Sequence, residues 1–209
     1  MLEPATLAAF VSAAALIVLA PGPDTMYTVT RSLGDGRTAG VVAATGTATG
    51  VLIHTAAAVA GLSALLRASA TAYTLVKYVG AAYLCYLGVR LLRSDETFDV
   101  ADTTSQSLAD SYRRAVTINV TNPKVAVFVL AFFPQFVPAA ADAPVQMSIL
   151  GLIYAGLSLV YLAGVALFAG RVRHVLLDSG RAQRVVQYVS GSVLIGFGLR
   201  LLLDERPAT

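Results

Sequence analysis

The chain has 209 residues, of which 56% are hydrophobic and 13% charged, with a mean hydropathy of +0.71. Soluble domains carry about 25% charged residues, so this chain holds more apolar side chain than a soluble fold of its size can bury, and lipid is the expected solvent for the excess. The net charge of +3 arises from 13 Arg and two Lys against 12 acids, with no basic stripe interleaved with aromatics, which argues against nucleic acid as a partner.

The first apolar segment covers residues 5–32 and is interrupted at Pro21-Gly22-Pro23-Asp24. Its start resembles a signal peptide, but Glu3 stands where a positive region belongs and no small-residue cleavage site precedes the prolines. A retained membrane helix is expected. Proline lacks an N–H and clashes with the carbonyl of residue i−4. Pro21 and Pro23 therefore release the carbonyls of Ile17 and Leu19. Gly22, Pro23 and Asp24 read as N-cap, first and second positions of a new half-helix, expected to end near Leu33 with Gly34 as a left-handed cap.

The second segment, 38–66, carries Gly46, Gly50 and His54 on one face at i, i+4 and i+8. The Gly-x-x-x-Gly spacing lets helices approach closely. His54 is either a proton relay or an interhelical hydrogen-bonding residue. Thr45, Thr47 and Thr49 are expected to bond to their own helix backbone. The third segment, 71–92, contains Cys85, the one cysteine of the chain, which rules out an internal disulfide or a CxxC redox pair.

Residues 94–110 follow as an acidic linker, with five acids between Asp95 and Asp110. The fourth segment, 115–137, is broken at Asn122-Pro123-Lys124, where Pro123 releases the carbonyl of Asn119. Asn119 and Asn122 can share a cavity there. Pro134, in Phe133-Pro134-Gln135-Phe136, stops or kinks this segment. The fifth and sixth segments cover 145–169 and 185–203.

Residues 78–92 and 188–202 share seven of 15 positions at an offset of 110, including Gly88/Gly198 and Arg90/Arg200. Three helices per half is an odd number, so the halves must cross in opposite senses. The expected fold is an all-α membrane protein. Its six transmembrane helices form two inverted three-helix repeats, about 1–93 and 111–205, with helices 1 and 4 broken, in a single domain of 1–209. The side shared by loops one, three and five carries Arg31, Arg37, Arg90, Arg93, Arg113, Arg114, Arg171, Arg173, Arg181 and Arg184. The other face carries Arg67, Lys77, Arg200 and Arg206. That bias puts the arginine-rich face in the cytoplasm and both termini outside it, in the plasma membrane.

Irregular backbone persists in hydrocarbon only where protein, water or ligand satisfies it, and paired breaks point to a midplane site. Asp24 and Lys124 are the charges at the breaks. They either serve a ligand or a proton, or satisfy each other as a buried ion pair. The half-helix N-termini present N–H groups suited to an anion.

These motifs resemble the LysE-type amino-acid exporter family. The resemblance rests on Pro21 to Asp24, the glycine-punctuated run after Arg31 (Gly34, Gly36, Gly40, Gly46, Gly50), Asn119 to Lys124, Phe133 to Phe136, and Gly88 with Arg90. It implies proton-driven export of amino acids or close derivatives, with Asp24 and Asn122-Pro123-Lys124 as the site. The substrate-binding set is then Asp24, Lys124, Asn119, Asn122, Pro23 and Pro123. Proton coupling falls to Asp24 and His54, and the helix breaks to Pro21, Gly22, Pro23 and Pro123. A cation or metal exporter of related fold and a non-transporting scaffold are the alternatives. Ligand clusters within the helices are lacking for the first, and charged breaks serve no purpose in the second. No cofactor, metal or enzymatic activity is expected. The lipid bilayer is a partner, and small-residue faces permit homo-oligomers.

Overall fold

The computed structural model describes residues 2–68, 70–93, 105–137, 142–173 and 180–203. Residues 94–104 of the expected acidic linker, the side chain of Arg67 and Arg206 lie outside the described residues. What is described is helical, without strands.

Helix α1 (Pro4–Leu19) begins on a proline and stops before Pro21. Helix α2 (Pro23–Gly34) starts on Pro23 with Gly22 as N-cap. The two form one bent pair, with an angle of 55° between them. Helix α2 does not close on Gly34 as the spacing suggested. Asp35 N–H still reaches Arg31 O at 2.9 Å, and the left-handed residue is Gly36, at φ 89°. The turn into α3 falls two residues later than expected because the backbone keeps its helical hydrogen bond through Asp35.

Helix α3 (Arg37–Ala68) is the longest, at 32 residues, and α4 (Ala70–Arg93) follows it. Helix α5 (Leu108–Val120) opens with a capping box. Asp110 N–H donates to Ser107 Oγ at 3.1 Å, and the Ser107 hydroxyl donates to the Asp110 carboxylate at 2.6 Å. Helix α6 (Pro123–Val127) begins after the second break, bent by 54° from α5. It continues as a π-helical turn, Phe128–Phe132, and a 3-10 turn, Phe133–Phe136. Pro134 cannot donate to the carbonyl of Leu130, so regular α-helix cannot pass through this point. The chain then runs through α7 (Ala143–Leu167), α8 (Ala169–Arg173) and α9 (Gly180–Leu203).

Among the described residues three helices are long and apolar enough to cross a membrane, or up to five if each bent pair is one span. Helix α4, the remaining expected crossing, carries Lys77 and four tyrosines and is not among those five. Large apolar side chains such as Leu75, Val79, Leu152, Val160 and Val189 are exposed, which suits a lipid-facing surface.

Helix α4 lies along α9, α3 packs on α7 and α5, and α1 packs on α7. Glycines make these contacts close. A Cβ on Gly46 would meet Tyr112 O at 2.5 Å, and one on Gly50 would meet the Asn119 side chain at 2.5–2.9 Å. The face expected to be for packing is therefore pressed against α5. Between α4 and α9, a Cβ on Gly88 would meet Gly191 O and Ile195, and one on Gly198 would meet Ala81 O and Cys85. The core is an aromatic cluster in which Phe10 of α1 packs on Phe128, Phe133 and Phe136, while Phe132 stacks on Phe128 and meets Phe197 of α9 edge-on. The tightening from π to 3-10 geometry turns four phenylalanines of one short stretch inward.

Candidate functional site between two broken helices

Each proline frees a carbonyl, and an unmatched carbonyl in a dry interior costs about 1–3 kcal/mol. At the first break Lys124 supplies the match for Ile17, one of the two carbonyls the prolines free there. Its ammonium donates to Ala20 O at 2.7 Å and Ile17 O at 3.3 Å. Ile17 is the residue that Pro21 strips of its helical partner. At the second break the freed carbonyl of Asn119 accepts from Asn122 N–H at 2.9 Å and faces His54 Nε2 at 3.1 Å. A carbonyl only accepts, so this contact is a hydrogen bond when Nε2 carries the proton. Each break thus borrows a nitrogen-bearing side chain from another element.

Asp24 is buried in the first turn of α2. Its carboxylate accepts from Asn119 Nδ2 at 3.1 Å and from Asn122 Nδ2 at 2.6 Å. Asn122 is also the N-cap of α6, its Oδ1 accepting from Lys124 N–H at 3.1 Å. One side chain therefore caps the second half-helix and binds the acid of the first. That cap takes up the Lys124 amide, and Pro123 has none, so the α6 terminus has fewer free donors than the sequence suggests. No ion pair joins Asp24 to Lys124. Among the described residues the ion pairs are Arg31–Asp35 and Arg113–Asp110. Each charge of the site is held by neutral groups of the opposite break.

Two cavities meet at this crossing. A small one of about 20 Å³, the size of a single water, is lined by Asp24, Thr25, Thr47, Asn119, Lys124 and Tyr154, among others. An open cleft of about 420 Å³ is lined by Pro21, Gly22, Pro23, Asn122, Pro123 and Lys124, with Tyr83 and Arg90 of α4 opposite. The cleft is in the size range of small-molecule pockets. Lys124 borders both spaces, and a Cβ on Gly22 would stand 3.3 Å from its ammonium. The break residues thus fall into one or both spaces, while His54 stands behind Asn119.

Residues beyond the sequence-predicted set also line the smaller space. Tyr154, Ser158 and Tyr161 of α7 recur there at i, i+4 and i+7, a helical period readable in the sequence but shared by many core faces. Thr47 departs from expectation. Thr45 and Thr49 donate to Val42 O and Thr45 O, but the buried Thr47 hydroxyl has no partner and borders the cavity instead. Asn119 Oδ1 is likewise buried and unpartnered. Among the described residues no three His, Cys, Asp or Glu side chains lie close enough to hold a metal ion.

These features define a multi-pass helical membrane protein whose two interrupted helices cross at a charged centre. The chain belongs to the LysE type translocator family, which matches residues 15–205. It is 32% identical to a leucine efflux protein of Salmonella typhimurium, over 90% of each chain. It is 33% identical to a homoserine/homoserine lactone efflux protein of the same organism, over 78% of this chain and 80% of that one. A membrane protein of Bacillus subtilis is 30% identical over 93% of this chain and 97% of its own length. No solved structure matches the chain.

Proposed function

We propose that the chain exports amino acids or close derivatives from the cytoplasm across the plasma membrane, driven by proton influx, through the site where the two breaks cross. The observation that carries this reading is that both charges are held by neutral groups. Asp24 is bound by two amides and Lys124 by two backbone carbonyls, all uncharged. Charged partners bind more strongly than neutral ones. A zwitterion can therefore displace both sets at once. Its ammonium takes Asp24 from Asn119 and Asn122, and its carboxylate draws Lys124 off Ile17 O and Ala20 O. Moving Lys124 uncovers the first break and links substrate binding to a change in the bend. Asp24 accepts a proton when substrate leaves, and His54, bonded to the second break, is the other group whose protonation bears on the cycle.

Six crossings in two inverted halves, about 1–93 and 111–205, make such a cycle a rocking of one half against the other. Two observations support them. The bends are 55° and 54°. At the offset of 110, the Gly88 contacts with Gly191 and Ile195 map onto those of Gly198 with Ala81 and Cys85. Arg31 and Lys77 are buried within α2 and α4. Setting them aside leaves the charge bias that puts the arginine-rich face in the cytoplasm and both termini outside it.

The test is efflux from proteoliposomes loaded singly with amino acids, with and without an inward proton gradient. Wild type should release at least one, faster with the gradient. Asp24→Asn and Lys124→Ala should each reduce release at equal reconstitution. Undiminished efflux in both variants would remove the site assignment.

A further inference from the structure

Asp24 is the first of four polar residues on one face of α2. Thr28, Arg31 and Asp35 follow at spacings of four, three and four, which align residues along one stripe of a helix. Arg31, counted with the arginine-rich side, is only 1% exposed. Its Nη2 pairs with the Asp35 carboxylate, while its Nε and Nη1 have no hydrogen-bond partner. The hydroxyls of Thr28, one turn away, and of Ser111, on the packed face of α5, are also buried and unpartnered. Around them Gln106 N–H donates to Asp35 Oδ2 at 3.4 Å, and the Tyr27 hydroxyl lies 3.4 Å from Gln106 Oε1 and 3.2 Å from Ser111 O.

Buried donors without partners are rare in folded proteins. A guanidinium presents its N–H groups in a fork that suits a carboxylate, and Asp35 supplies one already. We propose that Arg31 is a second binding station for the substrate carboxylate, between the arginine-rich face and the Asp24–Lys124 centre, and that Asp35 occupies it until substrate displaces it. Seven residues of helix separate Arg31 from Asp24, about 10 Å along the axis. The two stations are therefore used in turn. This inference rests on the export reading and adds a site two turns along α2 from the break itself.

The experiment measures the half-saturating concentration of leucine or homoserine presented at the arginine-rich face of proteoliposomes containing the full-length protein. The decarboxylated amine of each serves as competitor. Arg31→Gln should raise the half-saturating concentration about tenfold, the effect of losing roughly one charge-assisted contact. Arg31→Lys should fall between, since an ammonium lacks the fork. Asp35→Asn removes the internal occupant and should lower the value about threefold. The amine, lacking a carboxylate, should compete equally against wild type and Arg31→Gln. An unchanged half-saturating concentration in Arg31→Gln, or a parallel loss of amine competition, overturns the inference while leaving the export reading in place. If Arg31→Gln does not fold, Asp35→Asn decides, and an unchanged or raised value overturns it. A wild type that moves neither amino acid overturns both.

Discussion

The two breaks bend the chain by nearly the same angle, 55° and 54°, yet they are secured differently. The second largely looks after itself. Asn122 caps α6 with its own side chain, its N–H takes Asn119 O, and His54 adds a contact from α3. The first has a glycine cap with no side chain, and it takes its partners from the second: Lys124 for its carbonyls, Asn119 and Asn122 for its acid. A perturbation of the second break should therefore be felt at the first, and the reverse should be weaker.

Lys124→Met gives the sharpest break in this relation. It keeps side-chain bulk but leaves Ile17 O and Ala20 O unmatched, at about 1–3 kcal/mol each. Thermal unfolding of the purified protein should show the loss, together with abolished efflux. Asp24→Asn comes next. It turns one acceptor oxygen into a donor facing the Asn119 and Asn122 amides, and should cost about 1–3 kcal/mol and most of the transport rate. Asn122→Ala removes a cap and a ligand of Asp24 together, at about 1–2 kcal/mol. Combined with Asp24→Asn it should cost less than the sum, because the two changes share a bond. An additive double variant would show that the cap and the acid act separately.

Smaller effects sharpen the contrast. Gly50→Ala drives a Cβ into Asn119 and should cost about 1–3 kcal/mol, whereas Gly61→Ala, within α3 and with nothing within 4 Å, should cost nothing and stabilise by up to about 1 kcal/mol in the same unfolding assay. His54→Leu should lose about 1 kcal/mol by removing the contact to Asn119 O. His54→Gln, which keeps a donor, should recover most of it. If the gradient dependence of efflux is lost in His54→Gln while stability is kept, the imidazole does more than hold the carbonyl.

Much of this was readable from residue order. Proline's missing N–H acts within four residues, so the breaks, the freed carbonyls of Ile17 and Asn119 and the caps at Gly22 and Asn122 follow from local rules. Local rules also failed, at Thr47, which does not bond to its own helix, and at the end of α2. The left-handed glycine is Gly36 and not Gly34, because helical hydrogen bonding ran on to Asp35.

The sequence by itself determined where the helices break and which charged and amide groups stand beside them. Tertiary structure alone decided how those groups pair. Asp24 and Lys124 were equally consistent with an ion pair, but packing gave each of them neutral partners from the opposite break, 95 to 107 residues away in the chain. It also buried Arg31, which order alone counted with the charges of the arginine-rich side, and left Thr47 facing a cavity between two backbone-bonded threonines. The physical reason is the same in each case. A residue type states what a group can donate or accept, while the partner it meets depends on which distant helix the fold brings against it.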